Sequence, residues 1–410
     1  MSREIYVFVD WEEFDEPTLV GTLRSDVVKS KEHFSFAYDE VWLQSKFAQQ
    51  IDPELHLFAG EQHNNAQQNF RVFLDSCPDR WGRLLMKRRE VVIARQGDRK
   101  PHVLNESDYL LGVHDMYRMG ALRFKLDFDG DFLGNNEQLA APPMTSLREL
   151  EHAVRQVEDA KDVDDPDYLK WLNLLISPGS SLGGARPKSS VIDRDDNLWI
   201  AKFPSAHDDH DIGAWEFVVY QLALDAGISM SECKLDKFTG QHHTFLTQRF
   251  DRTAESRLHF TSAMMQLGYG DDGASYLELA QFLTDHGSNT KDDLAELWRR
   301  IVFNIAVSNT DDHLRNHGFI YHKGGWLLSP AYDVNPVTPA NGLHLNINED
   351  DNSLNYALAM DVIHFFQLSK NDALQIKSKV LLSVSNWSAM ATKIGISRAE
   401  QQLMAPAFNV

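Results

Sequence analysis

The sequence predicts an α+β protein in three regions, and the changing pattern of apolar residues carries that reading. Residues 1–145 alternate short strand-like runs (5–9, 19–23, 34–38) with helical stretches, and Pro142-Pro143 marks a joint. Residues 146–258 mix a Gly/Ser-rich loop, two strand-like runs, a helix and a further strand. From 259 to 410 the apolar spacing is mostly helical. At 410 residues and 43% hydrophobic composition, the chain is long and apolar enough for two or three packed domains. No internal repeat or low-complexity segment is present.

In chain order, the acidic run EDAKDVDDPD (158–167) reads as a solvated linker, because it lacks the glycine and terminal glutamate of a calcium loop. SPGSSLGGA (177–185) follows, a loop in which glycine lets the backbone approach a ligand closely. It feeds SSVID (189–193) and LWIAKF (198–203), strands joined by the turn RDDN (194–197). Lys202 closes the alternation Leu198, Ile200, Lys202 and is the one charged group on that strand face. It reads either as a phosphate-pairing lysine or as a surface lysine at a strand end. A helix is expected over 213–226, closed by Gly227, with Trp215, Val218, Val219, Leu222 and Ala226 in one stripe. Glu216 lies at the edge of that stripe, so it either partners Lys202 or faces water. TFLTQRF (244–250) reads as a strand. His242-His243 offers no metal-ligand spacing and reads as strand or loop.

The last region holds the most informative residues. KDDLAELWRRIVFNIA (291–306) places Leu294, Leu297, Trp298, Ile301, Val302 and Ile305 at helical spacing, with Thr290 and Asp293 as an expected cap. This helix runs straight into NTDDHLRN (309–316), and SPAYD (329–333) follows. Asp311, Asn316 five residues later and Asp333 a short hairpin further on have the layout of a protein-kinase centre. In that layout Asp311 orients the attacking hydroxyl, while Asn316 and Asp333 hold Mg²⁺, a hard cation that prefers oxygen ligands. The expected architecture is a kinase-like two-lobed catalytic region. A small N-terminal α/β subdomain (1–145) precedes an N-lobe-like region (146–258) and a helical C-lobe (259–410).

Six separated motifs in order, SLGGARPK (181–188), WIAKFP (199–204), WE (215–216), QRFDR (248–252), NTDDHLRN and LSPAYDV (328–334), resemble the HipA family. LDSCPDRWGRL (74–84), LLGVHD (110–115) and GALRF (120–124) resemble its N-terminal signatures, so the likeness covers nearly the whole chain. About the last sixty residues match only in helical character. The family consists of serine/threonine kinase toxins of toxin–antitoxin modules. The resemblance implies that Gly183, Gly184, Ala185, Arg186, Pro187 and Lys188 cradle ATP phosphates and that Gln248, Arg249 and Phe250 line the adenine side. It places Tyr332 beside the nucleotide and assigns His313 to loop positioning or phosphate contact. It marks Ser181 as the autophosphorylated serine. It implies ATP and Mg²⁺ as cofactors, an aminoacyl-tRNA synthetase as substrate, and a dimeric helix-turn-helix antitoxin, HipB-like, as partner. Tyr332-Asp333-Val334 stands where ordinary kinases carry D-F-G, which puts a D-F-G flip in doubt but not phosphoryl transfer. Two rivals stay open, a small-molecule kinase of the aminoglycoside-phosphotransferase type and a catalytically silent ATP-binding co-repressor.

Composition narrows the partners. A net charge of −20 argues against a direct grip on DNA, whose affinity rests on phosphate neutralisation. DNA is expected only through the antitoxin. Cys77 and Cys233 form no C-x-x-C, so neither a disulfide framework nor a zinc site is expected. The N-terminus lacks a signal-peptide pattern and no apolar run reaches a membrane span, so a cytoplasmic location is expected.

Overall fold

The computed structural model describes residues 2–29, 31–64, 68–134, 142–159, 167–176, 186–268 and 273–410. The fold is α+β and separates into two compact units, Met1–Ala201 with Asp251–Thr261, and Lys202–Phe250 with Ser262–Val410.

The first unit is organised by a five-stranded sheet in the order Glu61–His63, Lys31–Tyr38, Thr18–Val28, Ser2–Val9, Leu122–Lys125, all neighbours antiparallel. Alternation buries Ile5, Val7, Leu23, Phe34, Phe36 and Phe124. The first strands run beyond their expected apolar centres. Cross-strand charges extend them, with Arg24 Nε 3.0 Å from Glu4 and Nη1 3.4 Å from Glu61. Gly21 is required because a Cβ there would lie 2.2 Å from the Ala37 carbonyl oxygen. The helix Arg80–Gln96 starts at Asp79, whose carboxylate accepts from Gly82 N at 2.9 Å. Buried Arg118 donates to the carbonyls of Ser76, Leu110 and Val113. The unit also holds helices Leu147–Asp159 and Tyr168–Leu175 and the hairpin of Lys188–Ile192 with Leu198–Lys202, whose last residue opens the second unit.

The second unit is mainly helical. Its centre is the pair Ile212–Ala226 and Thr290–Val307, where Trp215, Val218, Val219, Leu222, Leu297, Trp298, Ile301 and Ile305 are buried. Gly227 ends the first of these helices with φ 86°, the left-handed geometry glycine adopts without strain. The expected cap at Thr290 and Asp293 is not formed. Asn289 takes the cap position, Thr290 Oγ1 donates back to the Leu283 carbonyl, and Asp293 accepts from Leu328 N at 3.0 Å. A tertiary backbone donor has taken the carboxylate that local spacing assigned to the helix end. Helices Lys370–Val384, Trp387–Ile394 and Arg398–Met404 complete the unit. Among the described residues, no helix is long and apolar enough to cross a membrane.

Candidate phosphotransfer site

Lys202 is 7% exposed at the end of its strand. Its Nζ lies 2.5 Å from Glu216 Oε1 and 2.7 Å from Asp333 Oδ1. Burial pulls the ammonium pKa down, but the Asp333 and Glu216 carboxylates outweigh it and the net shift is upward. Lys202 is therefore held as a cation. Glu216 is placed by its helix, whose N-terminus is fixed by Asp211 accepting from Ala214 N at 3.2 Å. His243 N and Nδ1 in turn lie 2.9 and 2.5 Å from the Asp211 carboxylate. Gly213 lets this helix approach the segment, since a Cβ there would meet the His243 carbonyl oxygen at 2.4 Å.

Asp333 adopts φ 56°, a left-handed conformation uncommon for a residue other than glycine. Such strain costs on the order of 1–3 kcal/mol and persists where surrounding contacts over-determine it. Here Lys202 grips one carboxylate oxygen, and Asn335 Nδ2 reaches the same atom at 3.4 Å.

The helix Thr290–Val307 delivers the Asp311–Asn316 loop. Asp311 is exposed, and its backbone carbonyl accepts from Asn316 Nδ2 at 3.0 Å. That bond turns the Asn316 amide so that buried Oδ1 has no hydrogen-bond partner among the described residues. Asn335 Oδ1 and His313 Nδ1 are likewise buried without one. A carboxylate and an under-used amide oxygen suit a hard cation whose remaining ligands come from phosphate and water. Among the described residues, no group of three or more His, Cys, Asp or Glu is positioned for a metal.

Asp312, beside Asp311 in sequence, does the opposite job. It is 3% exposed, and its Oδ2 lies 2.5 Å from Tyr276 Oη, 2.8 Å from Asn304 Nδ2 and 2.9 Å from His317 Nε2. Burial pushes this carboxyl pKa up, yet the His317 charge and the donated bonds hold it below the ordinary range. Burial and the neighbouring Asp312 charge drive the Tyr276 hydroxyl well above its usual value. Asn309 Nδ2 donates to Asn304 Oδ1 at 3.1 Å and extends the network to the loop's first residue. Asp312, Tyr276, Asn304 and His317 escaped sequence reasoning, because their meeting depends on contacts up to 36 residues apart.

Phe250 stacks on Tyr332, with centroids 5.6 Å apart at 29°, and the Tyr332 hydroxyl donates to the Arg315 carbonyl at 2.8 Å. Gln248 N donates to the Glu232 carbonyl, and Arg249 is buried. In the first unit, buried Lys188 lies 3.0 Å from Asp79, Pro187 is buried and Arg186 is half-buried. The rest of QRFDR is structural there. Asp251 accepts from Gly120 N at 2.8 Å, and Arg252 donates to the carbonyls of Gly120 and Arg118. Ser181, Gly183, Gly184 and Ala185 lie outside the described residues, as does most of the acidic linker.

These elements define a kinase-like α+β fold with a lysine–glutamate–aspartate cluster beside an Asp-x₄-Asn loop. The HipA-like C-terminal domain matches residues 180–402, more than half of the chain, and the chain belongs to that family. A Haemophilus influenzae protein named "Putative kinase" is 31% identical over 185 residues, covering 39% of this chain and 54% of that protein. A Sinorhizobium fredii protein of similar name is 28% identical over 201 residues, covering 45% and 46%. The chain thus spans about half the length of these curated relatives. The fold is similar to that of Shewanella oneidensis HipA, solved with HipB and operator DNA. The TM-score is 0.67 at 16% identity, over 98% of this chain and 94% of that one.

Proposed function

We propose that this chain is an ATP-dependent protein serine/threonine kinase that acts as the toxin of a toxin–antitoxin module. The observation that carries the reading is the cluster in which buried Lys202 holds both Glu216 and Asp333, next to Asn316 with an amide oxygen that has no partner among the described residues. A buried ion pair adds little stability over an apolar replacement, so the retention of three charges here favours a chemical use.

In this reading Lys202 pairs with ATP phosphates and Glu216 keeps it in place. Asn316 and Asp333 hold Mg²⁺, which supplies charge neutralisation at the phosphates when bound. Asp311, exposed and adjacent, orients the substrate hydroxyl for in-line attack and accepts its proton. The Asp312 network keeps the loop from drifting, and positioning is most of what phosphoryl transfer asks of a protein. Phe250 and Tyr332 offer an aromatic face near the adenine, with Gln248 ending the adjoining strand and Arg249 following it.

The Shewanella complex pairs a HipA with HipB on operator DNA, which supports a helix-turn-helix antitoxin as partner here. The net charge of −20 fits DNA contact through that partner rather than by the chain itself. An aminoacyl-tRNA synthetase is the proposed substrate class. Slow self-phosphorylation is proposed at Ser181, located by mass spectrometry. Incubation with γ-labelled ATP, Mg²⁺ and a cell lysate tests the central reading. A labelled protein band is expected. A labelled metabolite would point to a small-molecule kinase, and no label to a silent ATP-binding repressor.

A further inference from the structure

The helix Thr290–Val307 ends inside the protein, immediately before the catalytic loop, and the last four carbonyls of a helix have no partner within it. Ser308 takes the cap position with φ 51° and is fully buried, so water is a poor substitute there. The Asn304 carbonyl accepts from Asn309 N. The Ile305 carbonyl receives only a long 3.4 Å bond from Ser308 N, and it and the Ala306 carbonyl are met by Asn409, 104 positions from Ile305. Asn409 N donates to the Ala306 carbonyl at 2.8 Å, and Asn409 Nδ2 donates to the Ile305 carbonyl at 2.9 Å. Nδ2 also lies 2.9 Å from Ser308 Oγ.

Asn409 is itself held. The Tyr356 hydroxyl donates to its carbonyl at 2.5 Å. The preceding Phe408 stacks on Trp387, with centroids 4.5 Å apart and rings 2° from parallel, and meets Trp215 at 5.9 Å. Trp215 precedes Glu216, and its Nε1 donates to Glu400 at 2.8 Å. The same Glu400 oxygen accepts from Asp211 N at the start of that helix. One short segment therefore touches both helices on which the site depends. Asn409 caps the helix that delivers Asp311, and Phe408 packs on the helix that carries Glu216.

We propose that Asn409 is a positioning residue for phosphoryl transfer, acting through the end of the Thr290–Val307 helix on the Asp311–Asn316 loop. The inference rests on the kinase reading for its catalytic consequence and on geometry alone for the coupling. Losing the Asn409 amide leaves the buried Ile305 carbonyl with only the long 3.4 Å bond from Ser308 N and takes Nδ2 from Ser308 Oγ, which lets the last turn and Ser308 relax. A shift of about 1 Å in a positioned group costs up to about 100-fold in rate. Lys202, Glu216 and Asp333 are not on this helix and Asn316 is the one nucleotide-side group in the loop, so nucleotide affinity is expected to fall less than turnover.

The test compares wild type, Asn409→Ala and Asn409→Asp; both keep the backbone bond to Ala306 and lose the amide donors, and the last also keeps the side-chain shape. Steady-state kinetics give kcat and KM for ATP, and hydrogen exchange read by mass spectrometry gives protection across 304–317. The expected result is a 10- to 100-fold fall in kcat, on the order set by misplacement. KM should rise by clearly less than kcat falls, and exchange over 308–317 should be about ten-fold faster while the rest of the unit is unchanged. Should Asn409→Ala and Asn409→Asp not fold, Tyr356→Phe leaves Asn409 in place and removes only the hydroxyl holding its carbonyl. It should show the same pattern at smaller amplitude. Unchanged protection over 308–317, or a uniform rise in exchange with KM and kcat moving together, would overturn the proposal. If wild type transfers no phosphate, the kinase reading fails, and exchange alone still decides whether Asn409 holds the loop.

Discussion

Asp311 and Asp312 are neighbours in sequence and opposites in surroundings. Asp312 is buried and closed off by Tyr276, Asn304 and His317, all donating toward one oxygen. Among the described residues, exposed Asp311 gives only its backbone carbonyl to the protein, and Asn316 Oδ1 beside it is buried without a partner. A satisfied buried acid fixes geometry, whereas under-used oxygen atoms at the edge of the same loop are what a ligand can occupy. The Lys202 cluster stands between the two, its one cation shared by two carboxylates within the protein and its backbone strained at Asp333.

The largest effect is expected at Lys202. Lys202→Ala leaves the Glu216 and Asp333 carboxylates without their cation, and breaking a buried pair in this way costs about 3–5 kcal/mol. Urea unfolding should show that loss, and the Lys202→Met/Glu216→Gln double variant should recover part of it. No recovery would mean that the three charges do not act as one group.

Next in size is the closed network. Tyr276→Phe removes one donor from Asp312 and should cost about 1–3 kcal/mol in unfolding free energy. Asp312→Asn should cost a similar amount at neutral pH. The Asp312 carboxyl is held below its ordinary range when folded, so its contribution is present above about pH 4. It is lost as pH falls through the folded value, so the gap between wild type and Asp312→Asn should close in acid. A gap that stays constant from pH 7 to pH 3 would remove the distinction drawn here.

How much of this was legible in the sequence follows from the range of each contact. Asp311, Asn316, Asp333 and Lys202 showed themselves through local spacing and strand alternation, and the helix expected over 213–226 is observed as Ile212–Ala226. Glu216 sat at the margin of a stripe and had two readings, which only the fold separates. Asp312 resembles Asp311 in sequence, and nothing local says which is buried. Tyr276, Asn304 and Asn409 carry no periodic or motif signal, because their partners are brought by tertiary packing. Asp293 misled for the same reason, its carboxylate being claimed by Leu328 N rather than by the helix end. Residues 181–185, on which the resemblance rests most for phosphate binding, lie outside the described structure.

Asp293 offers the smallest test, a buried acid with a thinner set of donors than Asp312. Burial pushes its carboxyl pKa up to about 6, against the backbone bond from Leu328. A raised folded pKa means that its stabilising contribution is present below about pH 4 and lost as pH rises through about 6. Asp293→Asn should therefore be more stable than wild type at pH 7.5 by about 1 kcal/mol, with little advantage at pH 4.5. Equal offsets at both pH values would show that burial does not govern this carboxyl.

The central claim, that the open edge of the loop is a phosphotransfer site, is tested most directly by Asp311→Asn. Single-turnover transfer from labelled ATP is measured together with Mg²⁺–ATP affinity by calorimetry. The account predicts a loss of transfer of about 100-fold or more with affinity kept within about two-fold, because the side chain orients the nucleophile and does not hold the nucleotide. Near-normal transfer by folded Asp311→Asn would contradict it.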